Sequence, residues 1–288
     1  DIVTFSNLLR AWQGFLRGKQ KRNDVMWFQT VLIDNIHLLH DELVQKTYVH
    51  DGYQQFNICD PKPRIIHKAT VRDRLVHHLL YQELYDYFDT QFIFDSYSCR
   101  RGKGTHKAVY RLRDFSRKVS QNHTTTCWVL QCDIQKFFAS ISHEILYALF
   151  QKYISDKDNV WLLKQVITSF HTEGKEGIGL PLGNLTSQLL VNIYMNEFDQ
   201  FVKHKLKAKY YIRYADDFVI FSQGRKWLEL LSPQIECFLG ERLNLELHPD
   251  KVSIKTLSSG VDFLGWVHFP NYRVLRTTTR RRIMRGIK

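Results

Sequence analysis

Two adjacent carboxylates, Asp216 and Asp217, interrupt an otherwise apolar stretch and constrain the fold of this chain more than any other feature. On either side, residues 210–214 and 218–221 are rich in the β-branched and aromatic residues typical of strands. The stretch predicts a β-hairpin, because only Ala215 and the two aspartates suit a tight reversal. Neighbouring negative charges beside apolar strands need either full exposure to water or a compensating cation.

A third carboxylate, Asp133, ends a second strand-like stretch at residues 128–133. If the two strands lie side by side, the three carboxylates gather around cations. Mg²⁺ takes carboxylate oxygens and keeps open positions for phosphates, and two such ions serve the attacking and leaving oxygens in phosphoryl transfer. The pattern therefore predicts a nucleotide polymerase. The alternative is that Asp216 and Asp217 are solvated turn residues without a ligand.

Composition favours a polyanionic partner. The 288 residues include 41 Lys and Arg against 29 Asp and Glu, a net charge of +12, and 44% are hydrophobic, which is typical of a globular domain. Nucleic acid is favoured over an anionic membrane surface. Since no run of about eighteen apolar residues is present, we expect a cytoplasmic protein without membrane association. The five cysteines form no C-x-x-C pair, which predicts reduced thiols rather than zinc ligands.

Apolar periodicity and capping residues predict the elements around these strands. These elements are a helix from a cap at Asp24 through Leu43, one from a cap at Ser142 through Ile154, one from a cap at Asp158 through Phe170, a long helix from Asn184 to about Lys209, a helix at 227–239 and a strand at 243–247.

Basic residues cluster in two segments before Asp133. A predicted hairpin of residues 53–59 and 61–66 and the helix that begins at Thr70 carry Lys62, Arg64, Lys68, Arg72 and Arg74. Guanidinium groups pair with phosphate bidentately, which suits contact with a triphosphate, whereas a basic surface or local ion pairs are the alternatives. The loop at 96–106 places glycines between cations and is expected to contact nucleic-acid phosphates, although it is not a Walker A loop.

Taken in order, these segments resemble the prokaryotic reverse transcriptases over about residues 64–266. The motifs that carry the resemblance are Tyr-Ala-Asp-Asp at 214–217, similar to the polymerase signature, Cys-Asp-Ile-Gln-Lys-Phe-Phe at 132–138, similar to the first palm motif, Leu-Pro-Leu-Gly at 180–183, Asp-Lys at 250–251, and Phe-Leu-Gly-Trp at 263–266, similar to the primer grip.

The resemblance implies an α+β, right-hand polymerase with helical and β-hairpin fingers, an antiparallel-sheet palm and a truncated thumb. The implied domains are fingers with an N-terminal helical extension at 1–110, a first palm part at 111–142, a fingers insertion at 143–180, a second palm part at 181–268 and the start of a thumb at 269–288.

Site residues carried over from the family fall into three groups. Asp133, Asp216, Asp217 and the Ile134 carbonyl are expected to bind metal, and Lys251 to protonate pyrophosphate. Phe138 is expected to clash with a ribose 2′-hydroxyl and so select deoxynucleotides. The residues expected at the nucleoside triphosphate are Arg64, Lys68, Arg72, Arg74, Phe138, Leu182, Gly183 and Gln188, and those at template or primer are Arg100, Arg101, Lys103, Gly104, Phe263, Leu264, Gly265 and Trp266.

Within the family, group II intron enzymes usually carry Gln at the position of Leu182, which is apolar in this chain. Residues 183–188 and the loop at 96–106 are similar to the diversity-generating retroelement enzymes, although many of these have Met at the position of Ala215. Because Leu cannot hydrogen-bond the incoming sugar, low fidelity is implied. The implied partners are an RNA template, a DNA primer, deoxynucleoside triphosphates, two Mg²⁺ ions with Mn²⁺ as a substitute, and a basic accessory protein or structured RNA in a prokaryotic or phage-encoded system.

Three other functions remain open at this point: a group II intron protein that assists splicing, a non-catalytic RNA-binding relative, and an RNA-dependent RNA polymerase that shares the palm.

Overall fold

A computed structural model of the chain describes residues 2–59 and 63–286. The chain divides into two compact units, each built from two stretches of sequence: residues 1–91 with 138–194, and residues 92–137 with 195–288. Lys62 of the predicted basic hairpin lies outside the described residues.

The described residues form helices and short antiparallel strands. The helices are α1 (Phe5–Leu16), α2 (Asn23–Thr30), α3 (Leu32–Val44), α4 (Val71–Gln91), α5 (Thr105–Val119), α6 (Phe137–Ser140), α7 (His143–Tyr153), α8 (Lys157–Thr168), α9 (Leu185–Gln200), α10 (Arg225–Leu243) and α11 (Thr277–Gly286), with a π-helical turn at Phe201–Lys205 and 3₁₀ turns at Pro249–Lys251 and Leu257–Ser259. The strands are β1 (Gln54–Ile58), β2 (Arg64–Lys68), β3 (Trp128–Asp133), β4 (Tyr211–Tyr214), β5 (Asp217–Ser222), β6 (Ser253–Thr256), β7 (Val261–Phe263), β8 (Trp266–His268) and β9 (Arg273–Leu275).

The first unit combines helices with the β1–β2 hairpin. The apolar residues of α1 recur at helical spacing, so Leu8, Ala11, Trp12 and Phe15 share one buried face. That face packs against α4. The β1–β2 hairpin is antiparallel, as predicted, and pairs Gln54 with Lys68 at its open end.

Three sequence expectations about element ends are wrong. The predicted helix from Asp24 to Leu43 is broken at Val31, where the backbone φ of −124° lies outside the helical range and half of the side chain is exposed. Asp24 lies in the first turn of α2 instead of capping it. The cap of α8 is Asp156, which accepts from the backbone N–H groups of Asp158 and Asn159.

The predicted strand at 243–247 is not formed. The helix α10 continues through Leu243 and ends where Asn244 adopts a left-handed conformation with φ of +48°. Asn tolerates this conformation, so it serves as a helix terminator and the chain leaves the helix there. Leu247 instead forms an isolated antiparallel bridge to Ile134, the residue after β3.

The second unit is organised around an antiparallel sheet in the order β4-β5-β3-β6. Because side chains alternate along a strand, Val129 of β3 and Val219 of β5 face α5 in one core cluster. The helix α10 also packs against β3, β5 and β6. A smaller antiparallel sheet, β7-β8-β9, contributes Val261 and Phe263 to the α5 side of the core.

An ion pair lies fully buried in the second unit. Arg213 of β4 donates to both carboxylate oxygens of Asp199, at 2.8 Å from Nε and 2.7 Å from Nη2, and both side chains have no exposed surface. Tyr211 also donates to Asp199, at 2.7 Å, and Nη2 of Arg213 donates to Oγ of Ser96 at 3.1 Å. Burial alone would lower the pKa of Arg213, but Asp199 raises it above its ordinary value, so the pair remains charged.

A second buried polar network lies in the first unit, around His77 of α4. Its ring nitrogens approach Nε2 of His50, at 3.1 Å, and the Thr186 hydroxyl. Burial, reinforced by His50, lowers the pKa of His77 to about 3. Nearby, Thr70 caps α4 by accepting from the N–H of Asp73 at 3.2 Å.

No helix among residues 2–59 and 63–286 is long and apolar enough to cross a membrane. The five cysteines are all free thiols, and Cys127 and Cys132 are buried.

We expect the substitution Asp199→Asn to destabilise the protein by about 3–5 kcal/mol, because it leaves the Arg213 guanidinium buried without a counter-charge. The matched control is Glu229→Gln, which removes a carboxylate from the exposed pair with Arg225 and should have little or no measurable effect. Urea unfolding measures both. Equal stability of the two variants would contradict a structural role for the buried pair.

The low pKa of His77 makes stability depend on pH in a defined direction. Below the ordinary value of 6.5 the unfolded chain protonates this residue while the folded protein does not until about pH 3. The contribution of His77 to the free energy of unfolding is therefore fully present above pH 6.5 and is lost as the pH falls. Between pH 5.5 and pH 4, the free energy of unfolding should fall less steeply in His77→Gln than in the native protein, by about 1.4 kcal/mol per pH unit. Urea unfolding at each pH measures this slope. An unchanged slope would contradict the account.

Candidate active site

The strand register brings two of the predicted carboxylates together. In the antiparallel pair of β3 and β5, Asp133 lies directly opposite Asp217. Directly opposed residues point to the same sheet face with Cβ atoms about 4.5–5.5 Å apart, where like charges destabilise the sheet. Asp133 is an even number of residues from Val129, and Asp217 is an even number from Val219. Both aspartate side chains therefore lie on the face of the sheet that packs against α5.

The third carboxylate, Asp216, lies in the turn between β4 and β5, whereas Asp217 is the first residue of β5 and not a turn residue as predicted. Ala215 makes the reversal with φ of +56°. Its carbonyl accepts from Nη1 of the buried Arg213 at 3.1 Å, so the ion pair supports the turn. The Asp216 carbonyl accepts from the Ile134 N–H at 3.1 Å, which joins the turn to the residue after Asp133.

The surroundings of Asp217 disfavour its ionised form. Its Oδ1 atom is buried and has no hydrogen-bond partner among the described residues. Burial, together with the charges of Asp133 and Asp216, raises the pKa of Asp217 to about 8. A cation between these carboxylates would favour the ionised form and satisfy the orphaned oxygen. The donor set therefore fits a hard divalent metal.

An internal cation already contacts Asp133. Nζ of Lys251 donates to its Oδ1 at 2.7 Å, from a 3₁₀ turn held by the bond of the His248 N–H to the Asp133 carbonyl at 2.8 Å. Within the described residues, no three His, Cys, Asp or Glu side chains are already arranged as a metal-binding group. Lys251 thus lies beside the predicted acids and neutralises one of them.

The first unit brings together several residues expected at the nucleoside triphosphate. The Phe138 carbonyl accepts from the Leu180 N–H at 2.8 Å, and the Leu182 carbonyl accepts from the His67 N–H at 2.9 Å. Gly183 has φ of +104°, and a Cβ there would lie 2.6 Å from Cγ2 of Ile66. The glycine is therefore required both by its backbone conformation and by the close approach of β2.

The basic residues of the first unit are largely paired within the protein. Lys68 and Arg74 both contact Asp24, the lysine at 2.7 Å, and Arg72 contacts Glu42 and Asp73. Local ion pairs, one of the alternatives given by the sequence, are thus formed. Arg64 and Gln188 are exposed. The triphosphate role of all these residues stays a prediction.

The loop at 96–106 belongs to the second unit, and two of its cations bond to backbone carbonyls. Arg100 donates to Ile93 at 2.7 Å and to Ser96 at 3.0 Å, and Lys103 donates to Phe94 at 2.8 Å. Gly104, with φ of +108°, precedes α5. Arg101 is exposed on the same loop. A template contact by these residues stays a prediction.

The Phe-Leu-Gly-Trp segment forms a tight turn between two strands. Leu264 and Gly265 connect β7 to β8, both with positive φ, which is typical of a two-residue hairpin loop. Phe263 is buried in the core, whereas Trp266 lies 4.7 Å from the Arg273 guanidinium. The contact with a primer stays a prediction.

Sequence reasoning missed the residues that support the site. Arg213 and Asp199 were not singled out, although an arginine within an apolar strand signals a buried partner. Asp262, whose charge raises the pKa of Asp217, and its partner Arg276 were also missed. Nothing local in the sequence identifies these partners, since the pairs are separated by 14 residues in the chain.

Comparison with known proteins identifies the family of this chain. The sequence model of a family described as "Reverse transcriptase (RNA-dependent DNA polymerase)" matches residues 58–268. Protein YkfC of Escherichia coli is 25% identical and aligns with 90% of this chain and 76% of its own length. The group II intron-encoded protein LtrA of Lactococcus lactis is 24% identical, covering 77% of this chain but 46% of the relative, and the retron Ec83 reverse transcriptase of Escherichia coli is 31% identical over 42% of each. This chain thus spans less than half of the last two.

Solved structures with a similar fold include telomerase from Candida tropicalis, truncated from its C-terminal domain. The TM-score is 0.59 at 12% identity, covering 78% of this chain and 55% of that one. This likeness confirms the predicted α+β polymerase fold. The matched family model covers more than half of the chain and confirms the predicted class of enzyme, an RNA-directed DNA polymerase and hence a nucleotidyltransferase. The chain belongs to the reverse transcriptase family.

Proposed function

We propose that this chain synthesises DNA on an RNA template, with Asp133, Asp216 and Asp217 as its catalytic carboxylates. The observation that carries the proposal is the pairing of Asp133 with Asp217 on adjacent strands, with one buried carboxylate oxygen that has no partner in the described residues. A surface turn would leave such groups in water, so this arrangement argues against the solvated-turn alternative.

Members of the family use divalent metals, and we propose two Mg²⁺ ions here, with Mn²⁺ as a substitute. Bound between the carboxylates, the ions would make the primer 3′-hydroxyl a better nucleophile and neutralise charge that develops on the phosphate. The carboxylates Asp133, Asp216 and Asp217 and the Ile134 carbonyl would hold them. Because Nζ of Lys251 lies 2.7 Å from Asp133, it is well placed to release this contact and donate a proton to the leaving pyrophosphate.

The remaining residues would bind and orient the substrates. Phe138, five positions after Asp133, would exclude a ribose 2′-hydroxyl, and its link to the segment at 180–183 supports a shared nucleotide pocket. Arg64 and Gln188 are exposed and available for the triphosphate and sugar. The residues proposed for template and primer are Arg100, Arg101, Lys103, Gly104, Phe263, Leu264, Gly265 and Trp266.

The family description makes RNA the template partner. We propose in addition a DNA primer, deoxynucleoside triphosphates and a basic accessory protein or structured RNA, in the cytoplasm of a prokaryotic host. The division into fingers, palm and thumb at the boundaries given above also stays a prediction.

Within the family, we propose a diversity-generating retroelement enzyme with low fidelity. Leu182 supports this assignment, because an apolar side chain leaves the incoming sugar without the hydrogen bond that Gln would supply. The variant motif at 183–188 and the loop at 96–106 support it as well. Imperfect DNA repeats that differ at adenines near the coding sequence would strengthen the assignment.

The second candidate is a group II intron protein that assists splicing. It is favoured by the similarity to LtrA of Lactococcus lactis and to the putative COX1/OXI3 intron 2 protein of Saccharomyces cerevisiae, which is 20% identical over 75% of this chain. The presence of Leu182 instead of Gln argues for the retroelement assignment.

The substitution Asp216→Asn should abolish extension of a DNA primer on RNA, by roughly a hundredfold to a thousandfold or more, because it removes one charge-stabilising group at the reacting phosphate. Primer extension on a pre-annealed duplex measures the effect, and circular dichroism checks the fold. The exposed Asp114→Asn on α5 is the control and should retain full activity. Retained extension by Asp216→Asn would refute the site assignment.

The substitution Leu182→Gln should lower misincorporation, since the introduced amide can hydrogen-bond the incoming sugar and reject misaligned nucleotides. Sequencing of the cDNA products measures the error rate at each template base. The control Leu182→Met keeps an apolar side chain of similar volume and should leave the error rate unchanged. An unaltered error rate in Leu182→Gln would contradict the low-fidelity mechanism.

A further inference from the structure

A cavity of about 320 Å³ lies between α5 and the turn that joins β8 to β9. Its lining includes none of the residues proposed for catalysis, nucleotide, template or primer. The volume is at the lower end of the roughly 300–1,000 Å³ typical of ligand pockets and suits one nucleotide-sized group. The cavity lies entirely within the second unit.

The lining of the cavity is positively charged. Arg113 and Arg117, one helical turn apart on α5, lie on one side, and Arg273 of β9 lies on the other. Neither Arg113 nor Arg117 has an ion pair or a side-chain hydrogen bond in the part of the chain that the structure describes, and both are exposed. No described acidic residue lines this cavity, and Asp114 borders a neighbouring depression instead. Two free guanidinium groups at this spacing suit a phosphate group.

A buried polar atom at the same cavity lacks a partner. His268 lines the cavity, is 4% exposed, and its Nε2 atom has no hydrogen-bond partner among the described residues. Burial lowers the pKa of His268 to about 4, although a bond to the Phe263 backbone opposes this shift. The ring is therefore neutral at pH 7. We assign the hydrogen of the neutral ring to Nδ1, and Nε2 is then an acceptor without a donor among the described residues.

Aromatic side chains border the cavity beside these groups. Phe269 and Tyr272 stack with ring centroids 4.8 Å apart, and Tyr272 is 61% exposed. The second ring face of an exposed, immobilised tyrosine is a platform on which an unpaired base can stack. Cations, an acceptor and an aromatic face thus surround one nucleotide-sized space.

We propose that this cavity binds a nucleotide of an unpaired RNA strand, with its phosphate on Arg113 and Arg117, its base on Tyr272 and its ribose 2′-hydroxyl donating to Nε2 of His268. The 2′-hydroxyl is the donor present in every RNA nucleotide whatever its base, and it distinguishes RNA from DNA. The site would hold single-stranded template or a structured RNA partner outside the residues proposed for polymerisation.

The first test measures binding of a labelled unpaired RNA oligonucleotide to the full chain by fluorescence anisotropy over a range of salt concentrations. The double variant Arg113→Gln/Arg117→Gln should bind more weakly, and the slope of log K against log salt should fall by about 0.7 for each lost phosphate contact. The matched control is Lys118→Gln, which removes one exposed charge from the same helix outside this cavity and should keep the native slope.

Extension of a pre-annealed primer on a short template separates this site from the proposed active site. The double variant should extend it at the native rate. Unchanged RNA binding in the double variant would overturn the proposal, and so would a loss of extension in parallel with binding, because the cavity would then belong to the polymerase site. Failure of the native chain to extend would count against the proposed function alone.

The second test compares RNA and DNA oligonucleotides of identical sequence. The native chain should bind RNA more tightly, and His268→Leu should remove about a fivefold preference, the worth of one hydrogen bond. An equal loss of affinity for RNA and DNA would contradict the assignment of the 2′-hydroxyl. Because His268 is buried, its replacement can unfold the sheet. Tyr272 is exposed, so Tyr272→Ala provides an independent test and should weaken binding of both the RNA and the DNA oligonucleotide. Unchanged binding by Tyr272→Ala would overturn the stacking contact.

Discussion

Two aspartates directly opposite one another on neighbouring strands are an arrangement that a β-sheet does not favour by itself. Asp133 and Asp217 meet in this way where β3 pairs with β5, and the cost is visible in the raised pKa of Asp217 and in its unpartnered oxygen. Lys251 provides a cationic contact to Asp133. Further positive charge would offset this repulsion, which links the fold to the metal-dependent chemistry proposed for the site.

The rest of the second unit holds that arrangement in place. The hairpin turn that carries Asp216 rests on Arg213, whose guanidinium is fixed by Asp199 and bonds to the Ala215 carbonyl. Because the pair is fully buried, its geometry is set by the core and not by solvent. A rigid support of this kind keeps the repelling carboxylates together at the ends of the two central strands, where they would otherwise separate.

The sequence predicted the elements that carry the chemistry more closely than those that connect them. β-branched and aromatic runs located β3 and the β4–β5 hairpin, and the spacing of motifs identified the family. Helix ends were less accurate: the break at Val31 and the continuation of α10 to Leu243 depend on packing and on one left-handed Asn244, which periodicity does not report. The long-range pairs, such as Arg213 with Asp199, could not be predicted because no local pattern links the two partners. The cavity at His268 could not be predicted for the same reason, because it is formed by α5 and a turn about 150 residues later in the chain.

Binding of Mn²⁺ to the full chain, followed by electron paramagnetic resonance in the presence of a primer–template duplex, tests the central claim most directly. If Asp133 and Asp217 hold the metal, the double variant Asp133→Asn/Asp217→Asn should weaken Mn²⁺ binding by at least about tenfold. Native affinity for Mn²⁺ in that variant would contradict the assignment of these carboxylates as metal ligands.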